Sequence, residues 1–401
     1  MTNVQDNGGK PLLRWMDDGD PDLVPVMMAD GRSTASSYFG VPVRVEGEST
    51  TFTGIPESPV TPEMVVRCSE ESGIHFTRNL GYMLPFDLVE FMDDVEITVR
   101  EEARDGALRR VTVVRTPVGE MSDVFVTPSH GPAYWDENFV KGAADLPALT
   151  HLVERFTQAL LEGGRVREAV KSKHRDEAAK WPAHVPFYAV VGVPTFEVTS
   201  QLYMAPVPAF YLLADETAAM ERVFEAVAQS NAVLVECAAE AGADFVFGAI
   251  NGLEIYSPAI YERYFVPQAR ALHEAAHVCG LRGWVHTCGR MGKLIDMGVY
   301  DAMRVDALES LSHPPLGDVA DLAGARRKLG RKIVTRGAVN VSLFYDSDLD
   351  KIRERAKTVV EETRGYRHMV GDTNDSFPPY PRENILALVE EVERSGTMLR
   401  A

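Results

Sequence analysis

The sequence predicts a (β/α)8 barrel of the TIM type with an N-terminal elaboration. Three observations carry this. Short apolar runs alternate with helical patterns over most of the chain, as parallel strands joined by helices do. The late runs end on loops that each carry a polar residue: Asn251, His286, Asn340 and Asp372. In a barrel such loops share one face, and the active site sits there. No Gly-rich dinucleotide fingerprint follows the first strand and no Walker sequence occurs, so a doubly wound nucleotide fold fits less well.

The elements follow in order. Residues 11–16 form one short helix in a polar lead-in, and residues 23–28 read as a buried first strand. It runs into the loop Ala29-Asp30-Gly31-Arg32, whose Asp30 and Arg32 are candidate pocket residues. From residue 47 to 126 the pattern turns to short alternating stretches. Residues 95–100 and 110–115 alternate around the turn Arg104-Asp105-Gly106, which is a β-hairpin. Thr116-Pro117-Val118-Gly119 closes it. Residues 45–135 are expected to elaborate a single domain, 1–401, and to cover part of the site.

Residues 145–162 are an amphipathic helix and 185–193 a buried strand. One long helix, or two, over 217–240 has Asp215 as a possible cap. The strand 245–250 ends at Asn251-Gly252. Ser257-Pro258 opens the helix 259–279, with a capping Ser before a Pro in the first turn. Strands follow at 281–285, 332–339 and 367–371, with helices at 349–363 and 381–395.

The chain of 401 residues, 45% hydrophobic, has ample apolar content for a large core. Its 41 Lys and Arg against 59 Asp and Glu give a net charge of -18. That balance disfavours general nucleic-acid binding and attachment to anionic membranes. No signal peptide and no run of about 20 apolar residues is evident. The four cysteines, Cys68, Cys237, Cys279 and Cys288, form no CxxC pair. A reducing cytoplasm is the expected location.

The central stretch is Trp284-Val285-His286-Thr287-Cys288-Gly289-Arg290, a strand end followed by a Gly turn. Residues two apart on a strand leave the same face, so His286 and Cys288 form a plausible half of a zinc site. Core packing is the bland alternative. Asp372 and Asp375 could add oxygen ligands or simply form the turn that contains Asn374. Glu254 is a candidate ligand or proton-transfer group, or a surface residue. Arg290 is either a substrate anchor or an exposed cation. His273-Glu274-Ala275-Ala276-His277 matches a zinc-protease pattern. It lies on what should be an outer helix running away from the site face, and is read as a surface helix.

The C-terminal half resembles the uroporphyrinogen decarboxylase superfamily, which includes the zinc-dependent corrinoid methyltransferases. The matching stretches are Ser257-Pro258 with Phe265-Val266-Pro267, His286-Thr287-Cys288-Gly289, residues 330–340 and Pro381-Arg382-Glu383-Asn384. The resemblance implies a (β/α)8 barrel. The methyltransferase branch carries a His-x-Cys zinc pair, matched by His286 and Cys288. Its third ligand, a Cys, falls near Asn374, so an oxygen from Asp372, Asp375 or Glu254 would have to replace it. In the decarboxylase branch an Arg-Gln-Ala-Gly-Arg segment holds substrate carboxylates; here Met28-Ala29-Asp30-Gly31-Arg32 keeps only the last Gly and Arg.

The resemblance thus implies a zinc-dependent methyltransferase or demethylase. It would move a methyl group between a small ether, amine or thiol and a corrinoid (cobalamin) carried by a partner protein. Glu254 and Asp372 are then catalytic candidates. Asp30, Arg32, Asn251, Arg290, Asn340 and Asn374 are substrate-binding candidates, and His286, Cys288, Asp372 and Asp375 are metal candidates. A homodimer is expected from the superfamily. The alternatives are a decarboxylase of a porphyrinogen or small carboxylic acid, and a barrel that binds a small molecule without catalysis.

Overall fold

The computed structural model describes residues 10–41, 60–82, 91–128, 133–191, 196, 199, 203–373 and 380–401. Its strands in chain order are β1 (Leu23–Pro25), β2 (Arg78–Tyr82), β3 (Glu96–Arg104), β4 (Ala107–Thr116), β5 (Gly119–Pro128), β6 (Tyr134–Glu137) and β7 (Phe187–Val190). They continue as β8 (Phe245–Asn251), β9 (Arg282–Cys288), β10 (Ala307–Ser310), β11 (Val334–Val339), β12 (His368–Asp372) and β13 (Thr397–Leu399).

Seven of these form one parallel sheet in the order β12-β11-β10-β9-β8-β7-β2. The chain just after β1 closes it into a ring. Val26 bridges to Val370 of β12 and Met27 to His75 just before β2. The Met27 amide donates to the Val370 carbonyl at 2.9 Å, and the His75 amide to the Val26 carbonyl at 2.8 Å. Gly371 lets this seam close: a Cβ there would come within 1.9 Å of the Met27 carbonyl oxygen. The expected barrel is therefore present.

Sequence reading missed β2 and β10. Both are short, and β10 carries Glu309 in the middle of an apolar run, which hides the period. The expected hairpin is larger than predicted. β3 to β6 form a four-stranded antiparallel sheet, and Thr116-Pro117-Val118-Gly119 is the turn between β4 and β5 rather than a closure. Asp215 does not cap the helix Thr217–Glu240. It ends the preceding helix Pro206–Asp215, and Glu216 takes the cap position. Ser257 does cap: its hydroxyl accepts the Ile260 amide. The helix it opens passes through a π-helical turn at Tyr261–Phe265 before Val266–Val278, which accommodates Pro267 and its missing N–H.

The helix Pro11–Asp18 seals the end of the barrel where the strands begin. Leu12, Leu13, Trp15 and Met16 pack with Phe245, Trp284, Ala307, Val334 and Met369. Each buried Leu, Met, Val or Phe among them contributes roughly 1.5–3 kcal/mol. The opposite rim, where the strands end, is left to polar side chains. At that rim Asn384 of the Pro-Arg-Glu-Asn stretch donates to the carbonyls of Phe344 at 2.9 Å and Asp346 at 2.7 Å. Arg382 lies over the Tyr38 ring at 4.2 Å. Both residues therefore hold rim segments in place.

Buried histidines make the fold acid-sensitive. Burial lowers the pKa of His174 to about 4, with Lys173 adding to the effect, and neither ring nitrogen has a hydrogen-bond partner. Burial likewise lowers His75 to about 4 and His368 to about 3. Each group binds its proton more readily in the unfolded chain. Stability is thus full above the ordinary value of about 6.5 and falls as pH drops toward 4. His174→Leu should narrow the gap between urea midpoints at pH of about 7.5 and 5 while keeping the neutral midpoint. An unchanged gap would assign the acid limb elsewhere.

Candidate functional site

The site grows from the inward residues of β9, β10 and β11. On β9, Trp284, His286 and Cys288 alternate along one face. Trp284 belongs to the sealed end, so the next two rise toward the open rim. Strand register sets Glu309 beside His286 and Arg336 beside Glu309. Three charged or titratable side chains from adjacent strands thus form one row across the barrel.

The row is tightly bonded. His286 Nε2 lies 3.0 Å from Cys288 Sγ, and its Nδ1 lies 2.8 Å from Glu309 Oε1. Arg336 Nε donates to Glu309 Oε2 at 2.8 Å, and Arg336 Nη1 to Asp372 Oδ1 at 2.8 Å. Asp372 Oδ1 also accepts the Ala29 amide at 2.7 Å, which ties the first barrel loop to the last strand. Arg336 and Asp372 are fully buried. Burial alone would raise the Glu309 pKa, but the Arg336 charge and the His286 bond lower it to about 2. Burial works against protonation of His286 as well, and Cys288 and Glu309 overcome it, holding the imidazole well above its usual value.

Local structure presents the pair. Gly289 turns the chain at φ 77, and a Cβ there would lie 2.5 Å from Glu254 Oε2. Asp318 then accepts the amides of Met291 at 2.9 Å and Gly292 at 2.7 Å, starting the next helix. Behind the strand, the Tyr300 hydroxyl donates to Thr287 Oγ1 at 3.0 Å.

The expected residues meet different fates. His286 and Cys288 meet as anticipated. Glu254 and Arg290 sit at the rim with their charged atoms 3.7 Å apart, and Arg290 is largely exposed. Asn251 pairs with Cys288 in register. Asn340 is buried, and its Nδ2 donates to the His313 carbonyl at 3.1 Å. Asp30 serves as a helix cap, accepting the Arg32 amide at 2.9 Å and the Ser33 hydroxyl at 2.7 Å. Arg32 occupies the first turn of that helix, Gly31–Phe39. Asp372 is the anchor of Arg336. Asn374 and Asp375 lie outside the described residues.

Glu309 and Arg336 were missed in the sequence. The available signal was a charged residue inside each of two apolar runs, which only burial explains. Among the described residues no group of three or more His, Cys, Asp or Glu side chains could hold a metal ion. The pair His286 Nε2 and Cys288 Sγ is a two-donor start. Two tetrahedral zinc ligands of these types stand about 3.5 Å apart, so the pair would open by about half an ångström.

The protease-like motif holds no metal site. His273 Nδ1 bonds the Met303 carbonyl at 2.7 Å, and His277 Nε2 bonds Asp306 at 2.7 Å. Their helix is an outer one, as expected, but His273 is buried rather than on the surface. It packs against Gly283, near the start of β9 and away from the rim.

Residues 151–395 match the family model described as uroporphyrinogen decarboxylase (URO-D). A curated uroporphyrinogen decarboxylase of Syntrophotalea carbinolica is 29% identical over 178 residues, which is 43% of this chain and 48% of that protein. The match thus spans about half of that relative's length. A solved methyltransferase from Methanosarcina mazei has a TM-score of 0.59 at 19% identity, covering 96% of this chain and 97% of the other. This likeness concerns the fold. A B12-independent methionine synthase from a Shewanella species has a TM-score of 0.46 at 13% identity, covering 93% and 98%. No helix among the described residues is long and apolar enough to cross a membrane.

Proposed function

Since this chain belongs to the uroporphyrinogen decarboxylase (URO-D) family, we propose that it is an enzyme of the methyl-transferring kind that binds zinc at His286 and Cys288. It would exchange a methyl group between a small substrate and a corrinoid held by a partner protein. The observation that carries this reading is the His286–Cys288 pair, 3.0 Å apart at one strand end, with Glu309 on the other ring nitrogen. A metal-binding imidazole is commonly held this way by a carboxylate, which fixes its orientation and leaves one nitrogen for the metal.

Bound there, zinc would supply a Lewis acid for a leaving oxygen, or would lower the pKa of an acceptor thiol. The protein's own groups do the rest. Glu309 holds the ring, Arg336 holds Glu309, and Asp372 holds Arg336 against the loop at Ala29. Glu254, against Gly289 at the rim, is the proton-transfer group in this reading. Asp375, beyond the described residues, remains the oxygen ligand of the proposal, with Arg32, Asn251, Arg290 and Asn374 around the substrate. The elaboration at 45–135 would screen the mouth, and two copies of the chain would pair.

Decarboxylation ranks second. The one guanidinium in the buried row is already balanced by Glu309 and Asp372, which leaves it poorly suited to grip a polycarboxylate. The test is metal content joined to turnover. Protein purified with zinc present should hold one zinc per chain. It should also transfer a methyl group to added reduced cobalamin from at least one methyl ether, amine or thiol. Zinc-free protein, or carbon dioxide release from uroporphyrinogen without methyl transfer, would sink the proposal.

A further inference from the structure

Among the described residues, four buried polar atoms on the rim of β10, β11 and β12 have no hydrogen-bond partner: Ser312 Oγ, Arg336 Nη2, Asn340 Oδ1 and Thr373 Oγ1. All four side chains are at least nine-tenths buried. Buried polar groups are normally satisfied, and each exception calls for an explanation. These four also share one sector. Val339 pairs with Asp372 in register, so Asn340 and Thr373 are the next residues on neighbouring strands. Asn340 Nδ2 reaches the carbonyl of His313, next to Ser312. Arg336 spans from Glu309 to Asp372. The backbone of the sector is held in a left-handed conformation at Ser310 (φ 91), Leu311 (φ 47) and Ala338 (φ 72). L residues adopt it at a cost, and such strain gathers at functional sites. At Gly337, φ 123, a Cβ would lie 2.3 Å from the Ser310 carbonyl oxygen, so the two strand ends are pressed together.

The free atoms state what they would accept. Asn340 has committed its amide nitrogen to His313, so its oxygen awaits a donor. Arg336 Nη2 awaits an acceptor, and the two hydroxyls serve either way. Charge narrows the class. Arg336 is already held between Glu309 and Asp372 at 2.8 Å each, so a carboxylate brought to Nη2 would meet these two like charges at close range. A neutral oxygen would not.

We infer that this rim is a substrate subsite for a small uncharged compound bearing a hydroxyl and a second oxygen, such as a hydroxylated methyl ether, and that it disfavours carboxylic acids. The inference rests on the methyl-transfer reading only for the methyl group.

Ligand-observed NMR on the whole chain, with and without added zinc, tests it with ethylene glycol monomethyl ether and methoxyacetate, which differ mainly in charge. The neutral ether should bind about tenfold more tightly, the worth of one well-made hydrogen bond. Asn340→Ala and Thr373→Val should each weaken it by about three- to tenfold. Ser312→Ala guards against a misfolded variant, and thermal melts check all three. Equal or tighter binding of methoxyacetate, no binding of either, or full affinity in every folded variant would overturn the assignment. A neutral preference in a protein that transfers no methyl group would defeat the proposed function and leave this inference standing. Methyl transfer without that preference would do the reverse.

Discussion

His286→Ala and Cys288→Ser proteins are expected to fold and to hold no zinc. Each substitution removes one of the two donors that the described residues bring together, His286 Nε2 and Cys288 Sγ. Loss of a partner outside the ligand shell typically weakens a metal about 10–100-fold, so loss of a ligand should cost more than that. Glu309→Gln supplies the graded case. It keeps an oxygen near His286 Nδ1 but removes the charge, and zinc affinity should fall by about 10–100-fold. Competition with a chromophoric chelator measures all three, and methyl transfer should follow the same order. If His286→Ala keeps wild-type zinc, the metal lies elsewhere. If His273→Ala loses it instead, the helix motif is the metal site despite the bond of His273 to Met303.

The second large effect concerns stability. Arg336→Met should destabilise the protein by about 3–5 kcal/mol, the usual cost of leaving a buried charge without its partner. Here two carboxylates are left, Glu309 and Asp372, each 2.8 Å from the guanidinium. In the intact row the Arg336 charge helps hold the Glu309 pKa at about 2; without it burial pushes that pKa up, and the stranded carboxylate is relieved only by taking up a proton as pH falls. A lowered carboxylate pKa contributes stability above its ordinary value, and that contribution is lost as pH falls toward 2. The variant should therefore lose most at neutral pH and approach the parent in acid. Pairing Arg336→Met with Glu309→Gln should recover part of the loss, because one stranded charge is gone. Urea unfolding at neutral pH reads both effects, and a parental midpoint for Arg336→Met would mean that the row is not an energetic unit.

Much of this molecule was readable along the chain. Apolar runs with the right period mark β8, β9, β11 and β12, and their polar last residues mark the rim. The spacing of His286 and Cys288 on one strand requires that they share a face. Family membership was legible in short stretches such as His286-Thr287-Cys288-Gly289 and Pro381-Arg382-Glu383-Asn384. These patterns are local, and the repeat of a strand or helix fixes them without knowledge of neighbours.

Roles that depend on neighbours were not legible. Asp30 looks like a pocket residue, yet its carboxylate is spent on starting a helix. Asp372 looks like a ligand, yet it grips Arg336 and the Ala29 amide. Glu309 sits within an apolar run and gave no period to notice, although it stands between the imidazole and the guanidinium. His273 reads as a surface group and is buried. The sequence by itself determined the barrel, its acidic character and the His286–Cys288 pair, because periodicity and spacing act within a few residues. Only the tertiary structure decided which charges meet. Closure of the ring at Val26 and Met27 brings β1 beside β12, and strand register sets Glu309 between His286 and Arg336. Such contacts join residues tens to hundreds of positions apart, where linear order carries no distance.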